Sequence, residues 1–220
     1  MKKFFLILSA VTLLLLTAFT SAPTKKNVLI IGDSVSQGYT KIATKELADI
    51  ANIVHNPGNG KDTTNGLKYI DEWLAINKWD IIHLNWGLWD LCYRHPESKT
   101  QGKRDKVNGT IAVPIDDYAK NLEALVKKLK SSGAKLIFAT TTYVPINEAG
   151  RFVEDATKYN KVAKEIMMRY DVTINPLYDH SLTIHPKYGK GDDDVHYTDE
   201  GYKALSIPVI EALKRAILEE

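Results

Sequence analysis

Asn27-Val28-Leu29-Ile30-Ile31-Gly32-Asp33-Ser34-Val35-Ser36-Gln37-Gly38-Tyr39 decides how the rest of the chain is read. Its branched apolar run predicts a strand buried on both faces, as in a parallel sheet. Gly32-Asp33-Ser34 then stops the strand at a turn and delivers a hydroxyl to the end of the sheet. Two readings of that turn stand side by side. Ser34 is reactive, or Gly32 only permits the turn while Asp33 and Ser34 cap the next helix. Asp193-Asp194-Val195-His196, far downstream, favours the first. A serine is a weak nucleophile until a base takes its proton, and a histidine is a good base once a carboxylate fixes its tautomer.

Working outward, strands are expected at Asn27 to Ile31, Asn52 to His55, Trp79 to Asn85, Ala134 to Thr140 and Val172 to Asn175. Helical spacing predicts helices over Lys41 to Ile50, from Thr63 through Leu67, Ile70 and Trp73-Leu74, over Asp116 to Lys130, Val153 to Tyr170 and Thr198 to Leu218. Strands alternating with helices predict an α/β sandwich around a five-stranded, mostly parallel sheet. Ligands of such sheets bind at the carboxyl ends of the strands, where Ser34 falls.

The chain opens with Met1-Lys2-Lys3, an apolar run from Phe4 to Phe19, and Thr20-Ser21-Ala22, the three parts of a secretory signal. Residues 1–22 are therefore expected to be removed on export, although Pro23 sits awkwardly after Ala22 and an uncleaved anchor is the alternative. The 198 residues that remain of 220 suit one domain, 23–220. Its 27 basic residues, after loss of Lys2 and Lys3, balance 27 acidic ones, which argues against a nucleic-acid partner. With the signal gone, no membrane partner is expected. The single cysteine, Cys92, excludes an internal disulfide and reads as a packing thiol.

Gly32-Asp33-Ser34, Asn56-Pro57-Gly58-Asn59-Gly60-Lys61-Asp62-Thr63-Thr64, Asn85-Trp86-Gly87-Leu88-Trp89-Asp90 and Asp193-Asp194-Val195-His196 resemble, in order, the four blocks of the SGNH (GDSL-like) hydrolases. The resemblance implies a flavodoxin-like three-layer α/β/α sandwich, and ester hydrolysis through a serine acyl-enzyme without metal or cofactor. Position by position it makes Ser34 the nucleophile, His196 the general base and Asp193 the carboxylate that orients the imidazole. Asp192 and Asp194 compete for that last role, and spacing alone separates them. The acidic run also reads as a solvated turn or a calcium loop.

The same resemblance implies an oxyanion hole built from the Ser34 N–H, a second-block glycine N–H and a third-block asparagine. In the second block the glycine position aligns with Lys61, and Gly60 precedes it; Gly60 is the choice. In the third block Trp89 stands where the family has asparagine, so Asn85 is the expected substitute, with Trp89 the alternative. Asp33 and Asp90 read as turn-fixing carboxylates. His83, within a strand, reads as a core histidine, and the other histidines show no metal-ligand spacing.

Leu91 to Pro114 is long and polar, with Arg94, Lys99, Lys103, Arg104 and Lys106 against Glu97 and Asp105. Such a rim suits a carbohydrate with acidic groups, or is simply solvated. Trp86, Trp89 and Tyr143 are expected to stack on sugar rings. The expected substrate is a small-molecule or polysaccharide ester, foremost an O-acetylated carbohydrate. A lysophospholipid or short-chain lipid ester, or a catalytically silent sugar-binding protein, are the alternatives.

Overall fold

A computed structural model describes residues 24–219. The expected signal and the Pro23 boundary lie outside the described residues. In chain order the elements are β1 (Lys26–Ile31), α1 (Ser34–Glu46), β2 (Ala51–His55), α2 (Thr63–Ala75), β3 (Ile81–Leu84), β4 (Tyr93–Arg94) and β5 (Thr110–Ile111). They continue with α3 (Ile115–Ser131), β6 (Lys135–Ala139), α4 (Val153–Arg169), β7 (Thr173–Asn175), α5 (Leu177–Tyr188) and α6 (Asp199–Leu218).

The main sheet runs β2-β1-β3-β6-β7, and every neighbouring pair is parallel. β1 lies inside it, with Ile30 opposite His55 on one side and His83 on the other. Its Val28, Leu29, Ile30 and Ile31 are fully buried, as a strand covered on both faces must be. α1, α5 and α6 pack together on one face, and α2, α3 and α4 on the other. The three-layer sandwich with five parallel strands is thus present as expected. Among the described residues, no helix is long and apolar enough to cross a membrane.

Three departures from the sequence expectation bear on function. The first helix begins at Ser34 and ends at Glu46, instead of covering Lys41 to Ile50. Asp33 caps it, accepting the Val35 N–H at 2.9 Å. The capping reading and a serine at the sheet end are therefore both satisfied by one turn. Second, α5 lies where no helix was expected. Its buried positions are Leu177, Ser181 and His185, spaced four apart but two of them polar, so no apolar stripe marks it. Third, the segment after β3 is a built structure. β4 and β5 form an antiparallel hairpin, and Tyr93 N–H donates to the Gly150 carbonyl at 2.7 Å, tying the hairpin to the loop before α4. Cys92 is buried within this tie, and His83 is buried in β3, edge-on to Tyr39 at 6.0 Å.

Candidate active site

Ser34 is the first residue of α1, one turn past the carboxyl end of β1. Helix N-termini present unpaired N–H groups and a partial positive charge, a favourable place for a developing anion. His196 arrives from the loop before α6, and its Nε2 stands 2.8 Å from Ser34 Oγ. Its Nδ1 meets Asp194 Oδ1 at 2.5 Å. That geometry fixes the tautomer: Nδ1–H donates to the carboxylate and Nε2 is left to accept from the serine.

The orienting carboxylate is therefore Asp194, correcting the expectation of Asp193. The reason lies in the backbone. Asp194 Oδ1 also accepts the His196 N–H at 3.0 Å, closing a turn in which the side chain caps the residue two ahead. Such a turn places residue 194 beside the ring. Asp193 is exposed, and its Oδ1 lies above Gly191. Asp192 is engaged away from the histidine, where its carboxylate and carbonyl accept from the side chain and backbone of Asn147 at 2.7 and 2.9 Å. Partial burial works against the charge of Asp194, but the two His196 bonds, the His196 charge and Arg104 outweigh it and hold the carboxyl below its ordinary range. His185 of α5 steadies the same loop, its Nε2–H donating to the Asp194 carbonyl at 2.7 Å.

Of the expected oxyanion donors beyond the Ser34 N–H, the single Gly60 N–H is committed elsewhere and one of the two Asn85 carboxamide N–H groups is engaged. Gly60 N–H donates to the Gly32 carbonyl at 2.8 Å. Glycine is required there because a Cβ would stand 2.6 Å from that carbonyl oxygen. The alternative, Lys61 N–H, is taken by Asn59 Oδ1 at 2.8 Å. Asn85 is buried and its carboxamide donates to the Ala139 carbonyl at 2.8 Å. The second block thus serves as a brace: Asn56 Oδ1 accepts the Gly32 N–H at 2.9 Å while Gly60 holds its carbonyl.

Of the three expected aromatic contacts, only Trp89 shares a cavity with the serine. It lines a cavity of about 300 Å³ together with Ser34 and His196. Trp86 is buried below, against Gly66, with its indole N–H directed to the Gly60 carbonyl at 3.4 Å. Tyr143 faces α5, its ring 5.4 Å from His185, and lines a separate cavity. The helix that the sequence pattern hides is what turns Tyr143 away.

The same cavity is lined by Arg94, Arg104 and Arg151. Arg151 escapes sequence reasoning altogether. It is 5% exposed, donates to the Leu88 carbonyl at 2.6 Å and pairs with the fully buried Glu148 at 2.9 Å. Arg104 pairs with the same Glu148 oxygen. The signal for this pair is a Glu and an Arg three apart in a loop without periodicity, which spacing cannot distinguish from a solvated turn. Burial raises the carboxyl of Asp33, while the Val35 N–H, Arg151 and His196 oppose that rise. A second serine–histidine contact, Ser36 Oγ to His55 Nε2 at 2.6 Å, sits behind the turn, but Ser36 is 1% exposed and its hydroxyl is also bonded to the Asp33 carbonyl. Among the described residues, no group of three or more His, Cys, Asp or Glu could hold a metal ion.

The family model described as GDSL-like lipase/acylhydrolase matches residues 30–204. No curated protein matches the sequence. Among solved structures, the acetyl xylan esterase AlAXEase superposes with a TM-score of 0.68 at 18% identity, over 85% of this chain and 99% of that one. The lipase/acylhydrolase from Enterococcus faecalis gives 0.69 at 18% identity, over 86% and 95%. A catalytic mutant of Axe2, an acetylxylan esterase from Geobacillus stearothermophilus, gives 0.69 at 18% identity, over 90% and 96%. At these identities the superpositions speak to the fold.

Proposed function

The chain belongs to the GDSL-like lipase/acylhydrolase family, and from that premise we propose that residues 23–220 act as one serine esterase domain that removes acetyl groups from O-acetylated carbohydrate. The observation that carries the reading is the relay from Ser34 Oγ to His196 Nε2 at 2.8 Å and from His196 Nδ1 to Asp194 at 2.5 Å. Ser34 attacks the ester carbonyl as His196 takes its proton. The imidazolium, stabilised by Asp194, returns that proton to the departing alcohol. Water then enters, gives a proton to His196, and its oxygen attacks the acyl-serine; Ser34 takes the proton back and the acid leaves.

The tetrahedral oxyanion needs preorganised donors. The Ser34 N–H at the start of α1 is one. The second in this proposal is the indole N–H of Trp89, a residue that lines the cavity and whose N–H has no hydrogen-bond partner among the described residues. The preference for a short acyl group is supported by the cavity, whose roughly 300 Å³ is at the small end of ligand sites. Carbohydrate is supported by Trp89 at the cavity wall and by the acetylxylan esterases that share the fold. The leader pattern of residues 1–22 supports an exported enzyme.

Turnover of p-nitrophenyl acetate, butyrate and octanoate by the protein lacking residues 1–22, with Ser34→Ala beside it, tests the reading. Acetate is expected to be the best substrate and Ser34→Ala inactive, followed by acetate release from acetylated polysaccharides. Rates that rise with chain length would replace the acetyl proposal with a lipid esterase. No turnover of any ester would replace it with sugar binding alone.

A further inference from the structure

We propose that Arg94, stacked on Trp89, makes the Ser34 cavity selective for esters that carry a second, anionic group, foremost the carboxylate of an acetylated uronic acid. The proposal rests on the esterase reading and names its substrate class.

Three arginines face one small cavity, and their charges are not equally spent. Arg104 and Arg151 share the buried Glu148 carboxylate. Each also feels a cavity acid: Arg104 helps to lower the carboxyl of Asp194, and Arg151 opposes the rise that burial gives Asp33. Among the described residues Arg94 has no such counter-ion. Among the described residues its guanidinium donates only to the Gly102 carbonyl, and its Cζ lies 4.7 Å from the centre of the Trp89 ring.

That arrangement holds a planar cation in place without neutralising it. The cation–π contact with the indole and the bond to the Gly102 carbonyl restrain the guanidinium from two sides. Gly102 adopts φ +72°, a left-handed conformation that suits glycine, and a Cβ there would stand 3.0 Å from Arg94 Nη1. A guanidinium carries five N–H donors, so four remain for a ligand. Two of them in parallel match a carboxylate or a sulfate, and this match is strong because both partners are charged. Arg94 and Ser34 line the same cavity, so an anion and a scissile ester on one sugar residue can be held together.

The test compares methyl glycosides of O-acetyl-glucuronic acid, O-acetyl-glucose and O-acetyl-glucose 6-sulfate, acetylated at the same position, for wild type, Arg94→Gln and Arg94→Lys. Wild type is expected to favour an anionic ester over the neutral one by about tenfold or more in kcat/KM, mainly through KM. Arg94→Gln is expected to lower that ratio about tenfold or more, and Arg94→Lys, which keeps the charge and loses the fork, to fall between. The uronate and sulfate arms show which anion fits; a preference for either supports the proposal. A wild-type ratio near one, or a ratio unchanged by Arg94→Gln, overturns it. Calorimetric titration of Ser34→Ala and of Ser34→Ala/Arg94→Gln with methyl glucuronoside separates the two claims. Binding that depends on Arg94 supports anion recognition even if no ester is cleaved, and binding that ignores it overturns the proposal even if esters are.

Discussion

Replacing Asp194 by Asn probes the relay where structure and sequence spacing disagree. Asp194 Oδ1 accepts two N–H groups of His196, at 3.0 and 2.5 Å. An asparagine keeps an oxygen that can accept both, so the turn and the fold are expected to survive. What disappears is the negative charge beside a developing imidazolium. A flipped amide would in addition donate to Nδ1, moving the ring proton to Nε2, where it blocks acceptance from Ser34. Loss of both tautomer control and charge costs about 10³- to 10⁴-fold in kcat/KM, or about 4 to 5.5 kcal/mol of barrier. Asp193→Asn changes an exposed side chain with no bond to His196 among the described residues, and is expected to stay within about twofold of wild type. The assay is initial-rate hydrolysis of p-nitrophenyl acetate from pH 5 to 9, with thermal melts to confirm folding. A folded Asp194→Asn within a few fold of wild type, or an Asp193→Asn that loses as much, would refute the reasoning.

Other expectations follow from the same contacts. Trp89→Phe keeps an aromatic face for Arg94 but removes the indole N–H; kcat is expected to fall about 10- to 100-fold with KM little changed, and an unchanged kcat would remove Trp89 from the oxyanion hole. Asp90 is fully buried, and although Thr63 donates two bonds to its Oδ1, burial pushes its carboxyl up to about 7. The native state thus keeps a proton that the unfolded chain releases near 3.8, so this contribution is complete in acid and lost as pH rises through about 7. Thermal melts at several pH values should show the advantage of wild type over Asp90→Asn shrinking by up to about 4 kcal/mol between pH 4 and pH 7.5; a constant difference would contradict the buried protonated carboxyl. His83 acts in the opposite sense: burial lowers it to about 4, so its contribution is present above 6.5 and lost on acidification through about 4. His83→Gln is accordingly expected to flatten the fall in melting temperature between pH 6.5 and 4, and an unaltered slope would contradict it.

Much of the fold was legible because parallel strands leave a plain mark. Val28 to Ile31 and Ile81 to Leu84 are buried on both faces, so the apolar run of the first and Ile81, Ile82 and Leu84 of the second could hardly be read otherwise. α5 was illegible because its inward positions include Ser181 and His185, which are satisfied by hydrogen bonds and not by apolar packing. At the site, Ser34 and His196 stood out from their order and chemistry, but the choice among three successive aspartates depended on a side-chain turn that spacing cannot display. The partners of the expected oxyanion donors were hidden for a related reason. Gly60 and Asn85 have the right groups, yet which carbonyl each one meets is set by backbones distant in sequence, Gly32 and Ala139. Arg151 was invisible because its meaning comes from Glu148 and Leu88, partners that only the folded loop assembles.

The central claim is that Ser34 carries the acyl group, and intact-protein mass spectrometry after treatment with an alkyl fluorophosphonate tests it most directly. Attack of the serine oxygen on phosphorus expels fluoride and leaves one stable phosphonyl adduct. A single adduct mapped by peptide fragmentation to Ser34, absent in Ser34→Ala and greatly slowed in His196→Ala, is the predicted result. An unmodified protein, or an adduct on Ser36 in place of Ser34, would contradict the account.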